Sequence, residues 1–233
     1  MSNIQIINPA TEEVVTSLPV DTEATIATKF ATLKSGQAAW AGKPLAERIA
    51  CIERFYDLLE TERETLSQSL TTEMGKPLQQ ARNEINGART RIRFFLDNSE
   101  KWLSPEWIVQ EGGTKEKITY EPLGIIGNIS AWNYPYLVGM NVIIPALIGG
   151  NAVFYKPSEF TLLTGMHIRD LLYRAGVPEN AFQMAVGGGA VGELLLNLPL
   201  NGYFFTGSYK TGQYIASRVA PKLVPCQLEL GGK

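Results

Sequence analysis

The sequence has few of the residues that build metal sites, disulfide frameworks and catalytic triads. It contains one histidine, His167, and two cysteines, Cys51 and Cys226, in 233 residues. Two cysteines cannot form a disulfide framework, and no spacing typical of metal ligands is present. His167 lies within a helical pattern, and neither cysteine has an activating neighbour in the sequence. We therefore expect all three side chains to be structural rather than catalytic.

The sequence also lacks the features of membrane, secreted and nucleic-acid-binding proteins. Its longest apolar stretch, 136–150, is broken by Asn141, Pro145 and three glycines, so it is too short to span a bilayer. The N-terminus has neither the basic start nor the apolar segment of a secretory signal. The net charge is −2, and the basic residues of 82–93 alternate with apolar ones as on a solvated helix face. We expect a cytoplasmic protein without membrane or nucleic-acid partners.

Acidic residues are absent from two long stretches of the second half, 122–158 and 194–228. Residues 122–233 carry only 12 of the 44 charged residues. A charge-poor half rich in Val, Ile and Gly is typical of parallel strands that are buried on both faces. The charge-rich first half indicates exposed helices.

Hydrophobic spacing in the first half predicts helices followed by a hairpin. We expect one helix over 45–70 that is stopped by Gly75 and Pro77, a second over 78–102, and a weaker one over 21–40. Strand-like segments on either side of Gly112-Gly113 predict a projecting β-hairpin at about 106–121.

The second half alternates apolar strand-like runs with helical segments. This alternation predicts an α/β fold with a doubly wound, Rossmann-like parallel sheet, in which ligands bind beyond the carboxyl ends of the strands. The predicted strands are 125–129, 152–155, 182–186, 203–205 and 227–230, and the predicted helices are 137–148, 161–175, 190–197 and 211–220.

Polar side chains and glycines follow each of the five predicted strands. Because the carboxyl ends of parallel strands lie at one edge of a sheet, we expect these groups to share one site. The edge would gather an amide, an ammonium group, two carboxylates, a hydroxyl and several glycines. The segments are Ala131-Trp132-Asn133-Tyr134-Pro135, Lys156-Pro157-Ser158-Glu159, Gly187 to Gly192, Thr206-Gly207-Ser208, and Glu229 with the glycines after it.

Two of these segments could bind a dinucleotide or could serve the fold alone. Gly187-x-Gly189-x-x-Gly192 has the spacing of a dinucleotide fingerprint, but no acid follows about 20 residues later, which favours a tight strand-to-helix turn. Glu159 could instead accept hydrogen bonds from ribose hydroxyls. Ser158 and Glu159 are equally suited to cap the next helix.

Three further groups also allow two interpretations. Ser208 could bind phosphate with the N-terminus of the following helix, or it could simply cap that helix. Asn133 could donate its amide to an oxyanion, or it could be a turn residue. Glu229 is an isolated acid in an apolar strand. Burial would raise its pKa toward that of a general base, whereas at an open strand end it would be a solvated carboxylate.

Taken in order, these segments resemble motifs of the aldehyde dehydrogenase superfamily. The final block also resembles semialdehyde dehydrogenases of the succinate-semialdehyde type. The matching segments are Asn8-Pro9-Ala10-Thr11, Glu73-Met74-Gly75-Lys76-Pro77, Glu121-Pro122-Leu123-Gly124, Trp132-Asn133-Tyr134-Pro135, Lys156-Pro157-Ser158-Glu159, Phe205-Thr206-Gly207-Ser208 and Leu228-Glu229-Leu230-Gly231-Gly232-Lys233. One departure is Ala131, where the family usually has proline.

The resemblance implies a role for each of these residues. Asn133 would hold the oxyanion of a thiohemiacetal, and Glu229 would activate the water that hydrolyses the thioester. Lys156 and Glu159 would hold the adenosine ribose. A carboxylate at Glu159 favours NAD, although NADP remains possible beside Lys156. The implied cofactor-binding residues are Ile129, Trp132, Lys156, Ser158, Glu159, Gly187, Val191, Phe205, Gly207, Ser208, Leu230 and Gly231.

The resemblance also implies that residues 1–233 are an N-terminal NAD(P)-binding domain with an oligomerisation hairpin. The family's nucleophilic cysteine lies beyond the Glu-Leu-Gly-Gly-Lys block, so that role is not given to Cys226. We expect a cut inside a larger enzyme, a homodimer or homotetramer that oxidises an aldehyde to a carboxylic acid. Two alternatives stay open: a dinucleotide-binding module without chemistry, and an unrelated doubly wound enzyme such as a methyltransferase.

Overall fold

A computed structural model of the chain describes residues 2–231. Gly232 and Lys233, which end the last sequence motif, lie outside the described residues. The strands are β1 (Asn3–Ile7), β2 (Val14–Pro19), β3 (Glu106–Val109), β4 (Glu116–Ile118), β5 (Ile125–Ile129), β6 (Ala152–Lys156), β7 (Phe182–Met184), β8 (Gly202–Gly207) and β9 (Cys226–Leu230). The α-helices are α1 (Glu23–Ala41), α2 (Leu45–Thr61), α3 (Arg63–Met74), α4 (Leu78–Leu103), α5 (Pro135–Ile148), α6 (Leu162–Arg174), α7 (Gly189–Asn197) and α8 (Tyr209–Val219).

Five strands form a parallel sheet in the order β7-β6-β5-β8-β9. The chain enters at the central strand β5, winds outward to β7, and then returns to β8 on the other side of β5. This reversal opens a crevice between β5 and β8, where ligands bind in doubly wound sheets. The predicted doubly wound parallel sheet is therefore confirmed.

The sheet separates two apolar cores because successive side chains of a strand point to opposite faces. On β6, Val153 and Tyr155 join the core that contains α2 to α6. Ala152 and Phe154 join the core formed with α1, α7 and α8. All four side chains are buried. The shortage of charge in this half follows from this burial on both faces.

One predicted helix is wrong, because residues 45–70 lie on two helices instead of one. The chain leaves helical geometry at Glu62, whose φ is −102° and ψ is 8°. Neither proline nor glycine marks this break. Leu59 and Leu66, seven residues apart, are both buried across it. Because the buried apolar stripe continues across Glu62 with helical spacing, the sequence gives no sign of the break. The predicted helices at α1 and α4 are confirmed.

Two antiparallel hairpins lie outside the sheet. The predicted hairpin is confirmed as β3 and β4, and each of their residues is exposed. The hairpin of β1 and β2 was not predicted, because short, largely exposed strands lack a long apolar run. Within residues 2–231, every helix is either too short or too polar to serve as a bilayer-spanning segment.

Candidate functional site

A cleft of about 720 Å³ lies at the carboxyl ends of β5, β6, β8 and β9, beside the first turns of α7 and α8. Its size is within the range of about 300–1,000 Å³ that is typical of small-molecule sites. Twelve of the fourteen predicted site residues line it: Ile129, Trp132, Asn133, Lys156, Ser158, Glu159, Phe205, Gly207, Ser208, Glu229, Leu230 and Gly231. The strand ends thus share one cleft.

Gly187 and Val191 are the two predicted cofactor residues that do not line this cleft. Gly187 has a φ of +148°, and a Cβ there would lie 2.4 Å from Cγ2 of Val191 and 3.1 Å from Cγ1 of Val20. Val191 is buried in the core beneath the cleft. This packing supports the tight strand-to-helix turn that we weighed against a dinucleotide fingerprint.

Lys156 places a buried ammonium group in the wall of the cleft. The residue is 4% exposed and ends strand β6, and its Nζ donates to the carbonyl oxygen of Pro157 at 3.0 Å. The carboxylate of Glu159 lies 3.8 Å from Nζ. Burial lowers the pKa of Lys156, and the charge of Glu159 opposes that effect. The two side chains present a donor and an acceptor side by side, as ribose hydroxyls require.

The N-terminus of α6 is capped by Glu73 and not by Ser158 or Glu159. The Glu73 carboxylate accepts hydrogen bonds from the backbone N–H of Leu163 at 2.5 Å and of Thr164 at 2.9 Å. It also accepts from the Thr164 hydroxyl at 2.8 Å. Desolvation raises the pKa of Glu73 to about 7. Because Glu73 takes the capping role, Glu159 stays available to a ligand.

Two helix N-termini face the cleft. Ser208 caps α8, since its Oγ accepts from the Thr211 backbone N–H at 3.3 Å, so the capping interpretation of Ser208 is confirmed. Helix α7 begins at Gly189 after Gly188, which provides no side-chain cap. Unsatisfied N–H groups and the helix dipole together favour a bound anion at such positions.

Aromatic and aliphatic side chains supply the apolar parts of the cleft. Trp132 and Phe160 meet edge to face at 6.4 Å between ring centroids, and both are largely exposed. Phe205 lies at the floor, and a Cβ at Gly207 would lie 2.4 Å from Cζ of its ring. Glycine is therefore required at 207 by the Phe205 ring. Lining residues that the sequence did not reveal include Ser130, Glu193, Leu196, Thr211, Tyr214 and Ile215.

Asn133 and Glu229 line the same cleft from opposite sides of the crevice. The side-chain Oδ1 of Asn133 accepts from the backbone N–H of Tyr134 at 3.1 Å, so its NH₂ group is left as the donor. Glu229 is exposed and accepts from Nε2 of Gln227 at 3.1 Å. Among the described residues β9 is the edge strand of the sheet, which leaves this carboxylate exposed. Glu229 is the solvated strand-end carboxylate.

The loop that carries Asn133 is held by a buried ion pair that sequence reasoning missed. Nζ of Lys76 donates to the carboxylate of Glu84 and, at 2.6 Å, to the backbone carbonyl oxygen of Asn133. The other carboxylate oxygen of Glu84 accepts from the backbone N–H of Tyr136 at 2.8 Å. The available signal was Glu84 itself, an acid next to Ile85 on the buried stripe of α4.

Proteins with sequences similar to this chain include named dehydrogenases. The chain is 35% identical over 221 residues to "Putative succinate-semialdehyde dehydrogenase NADP(+)" of Mycolicibacterium smegmatis, covering 94% of this chain and 43% of that protein. It is 31% identical over 232 residues to 3,6-anhydro-alpha-L-galactose dehydrogenase of Streptomyces coelicolor, covering 99% and 47%. The chain thus spans about half the length of these relatives.

A solved structure extends the likeness to the fold. Betaine aldehyde dehydrogenase of Staphylococcus aureus, in complex with NAD+, superposes with a TM-score of 0.93 at 27% identity, covering 99% of this chain and 47% of that one. The aldehyde dehydrogenase family itself matches residues 1–233, the whole of the sequence. The cleft at the switch point of the sheet and the family match both agree with the order of the sequence motifs. The chain belongs to the aldehyde dehydrogenase family.

Proposed function

We propose that this chain is the dinucleotide-binding half of an enzyme that oxidises an aldehyde to a carboxylic acid with NAD(P)+. The observation that carries the proposal is the single cleft at the switch point. It combines a buried ammonium group, a carboxylate and two helix N-termini with the amide of Asn133 and the carboxylate of Glu229. The relatives named for NADP(+) and the structure solved with NAD+ support a nicotinamide dinucleotide.

The residues of the cleft fit the parts of a dinucleotide. Lys156 and Glu159 offer a donor and an acceptor to the hydroxyls of the adenosine ribose. The first turn of α8 and the indole of Trp132 would hold the pyrophosphate, because helix N-termini favour anions. The carboxylate of Glu159 would repel a 2′-phosphate, which favours NAD over NADP, and Lys156 weakens that preference.

Asn133 and Glu229 would act on the aldehyde carbon. The donor NH₂ of Asn133 would stabilise the oxyanion that forms when a thiolate adds to the aldehyde. Bound NAD(P)+ supplies the acceptor for the hydride that leaves this adduct. Glu229 would then take a proton from the water that attacks the thioester, which releases the carboxylic acid and the thiol.

The thiolate must come from outside residues 2–231. Cys51 is buried in α2, and Cys226 begins β9, three residues before Glu229. A strand advances about 3.3 Å per residue, so Cys226 lies about 10 Å along the strand from the cleft edge. Cys226 is exposed, and partial desolvation raises the pKa of its thiol. We therefore propose that a second, catalytic half carries the nucleophile, as the length of the relatives allows.

A module that binds the dinucleotide without chemistry is the second candidate, and the lack of a cleft thiol among the described residues favours it.

Titration calorimetry with NAD+ and NADP+ tests the claim that both candidates share, which is dinucleotide binding. We expect NAD+ to bind, and Lys156→Met to weaken binding by about tenfold, since a charged hydrogen bond contributes about 1.5–3 kcal/mol. Lys29→Met is the matched control, because Lys29 pairs with Asp21 at 2.6 Å and does not line the cleft.

Aldehyde oxidation separates the two candidates. We expect residues 1–233 to form NADH from succinate semialdehyde only when a catalytic half with a cysteine is present. Binding without turnover in that assembly would favour the module. Binding of S-adenosylmethionine in place of NAD+ would contradict both candidates and point to an unrelated doubly wound enzyme.

A further inference from the structure

We infer that the Lys76–Glu84 ion pair positions Asn133 for the proposed reaction, although neither Lys76 nor Glu84 lines the cleft. The inference rests on the proposed function, in which the Asn133 amide faces an oxyanion. It concerns Glu84 on α4 and Lys76 in the connection between α3 and α4, which bond the backbone of Tyr136 and of Asn133. They are positioning residues, since neither would touch substrate or cofactor.

Lys76 fixes one side of the loop. Its Nζ donates to the carbonyl oxygen of Asn133 at 2.6 Å and lies 4.0 Å from the centre of the Tyr134 ring. The Lys76 side chain is 6% exposed, so water does not compete for this ammonium group. The segment from Ser130 to Tyr134 belongs to no helix or strand. The bond from Lys76 therefore constrains a carbonyl oxygen that regular structure does not hold.

Glu84 fixes the other side of the loop. One of its carboxylate oxygens accepts from Lys76, and the other accepts from the backbone N–H of Tyr136 at 2.8 Å. Tyr136 is in the first turn of α5, where the helix dipole stabilises a negative charge. The Glu84 side chain is fully buried. One ion pair thus holds the backbone before and after Tyr134-Pro135, with Glu84 on α4 and Lys76 in the connection that precedes α4.

The energetics favour positioning over simple stabilisation. A buried ion pair often stabilises a protein less than apolar side chains of the same volume, because desolvation of both charges offsets their attraction. Helices α4 and α5 already pack against each other, and Ile85, Ala88 and Met140 are among the buried apolar side chains that they contribute to one core. The pair adds directional bonds to Asn133 and Tyr136 that apolar packing cannot make. Catalytic groups need such directional support, since a displacement of about 1 Å can lower a rate by about 100-fold.

The test is a double-mutant cycle between Lys76 and Asn133, measured as aldehyde oxidation with the catalytic half present. We expect Asn133→Ala to lower kcat by about 100-fold or more, as for loss of an oxyanion donor. Lys76→Met should lower kcat by at least about tenfold and leave KM and the Kd for NAD+ within about twofold. Lys76→Met combined with Asn133→Ala should be no slower than Asn133→Ala alone, within about twofold.

Two variants control for folding and for the loss of a lysine that pairs with a carboxylate. Lys76→Met combined with Glu84→Gln removes the unpaired charge, so its urea midpoint should return toward the wild-type value while kcat stays low. Lys29→Met is the matched lysine, since Nζ of Lys29 also bonds a carboxylate and, at 2.8 Å, the backbone carbonyl of Met184. It should leave kcat unchanged. The inference would be overturned if the kcat losses of Lys76→Met and Asn133→Ala multiplied in the double variant. A loss of kcat in Lys29→Met equal to that in Lys76→Met would overturn it as well.

A separate readout distinguishes this inference from the proposed function. If the wild-type assembly oxidises no aldehyde, the proposed function fails, and the loop can still be followed by NMR in residues 1–233. We expect Lys76→Met to speed amide exchange at Tyr134 and Tyr136 and to shift the side-chain NH₂ signal of Asn133, while Lys29→Met does neither. Unchanged exchange and an unchanged Asn133 signal in Lys76→Met would overturn the positioning role.

Discussion

Glu73 should make the stability of this protein depend on pH in the neutral range. It is 4% exposed, and it caps α6, the helix that follows the loop with Glu159. Desolvation raises the pKa of its carboxyl from 4.5 to about 7. Because the folded state binds this proton more tightly than the unfolded state, Glu73 stabilises the fold most below pH 4.5. That stability is lost as the pH rises to about 7.

The size of the effect follows from the gap between the two pKa values. A difference of one in pKa corresponds to 1.36 kcal/mol, so the shift from 4.5 to about 7 corresponds to about 3 kcal/mol. Most of it, about 2–3 kcal/mol, should be lost between pH 5 and pH 8. Glu73→Gln cannot ionise and should lack this loss. The variant should also lose one of the bonds to Thr164, a cost of about 1 kcal/mol that does not vary with pH.

Urea unfolding of the wild type, Glu73→Gln and Glu179→Gln at pH 5 and pH 8 measures the difference. Glu179 is an exposed carboxylate and is the matched control. Between pH 5 and pH 8, we expect the free energy of unfolding of Glu73→Gln to rise by about 2–3 kcal/mol relative to that of the wild type. Glu179→Gln should show no such relative rise. The reasoning would be refuted if the free energies of unfolding of the wild type and Glu73→Gln differed by the same amount at both pH values.

Three further predictions concern the cleft and the hairpin. Glu159→Gln should improve NADP+ binding relative to NAD+ by about tenfold in calorimetry, because it removes a charge that repels the 2′-phosphate; an unchanged ratio would contradict that role. Gly207→Ala should destabilise the fold by about 1–3 kcal/mol in urea, because the new Cβ meets the Phe205 ring, whereas Gly189→Ala, which meets open space, should not. Trp107→Ser, which changes an exposed side chain of the β3–β4 hairpin, should lower the mass in light scattering if the hairpin joins subunits, and an unchanged oligomer would count against it.

The sequence predicted the sheet and its ligand edge because both leave local signals. Runs such as Ile125–Ile129 are largely apolar and are buried on both faces, and each is followed at once by polar residues or glycines. Since the strands are parallel, these short motifs had to meet at one edge, and twelve of the predicted residues line the cleft. The prediction needed only the order of segments along the chain.

Features that depend on partners distant in the sequence were missed or wrong. Glu73 bonds the backbone of Thr164, 91 residues away, and Lys76 bonds the backbone of Asn133, 57 residues away. Bonds to the backbone place no requirement on the partner's side chain, so the sequence carries no sign of them. Of the two interpretations of Glu229 that the sequence left open, the structure shows the exposed strand-end carboxylate, because the edge position of β9 is a property of the strand order. The break at Glu62 left no sign because the apolar spacing continues across it.

The central claim is that the cleft binds a nicotinamide dinucleotide, and NMR titration of residues 1–233 with NAD+ tests it most directly. We predict saturable shifts of the backbone amides at Gly189 and Gly192 in α7, at Ser208 and Thr211 at the start of α8, and of the Trp132 indole N–H. Shifts confined to residues outside the cleft, or no shifts at millimolar NAD+ and NADP+, would contradict the claim.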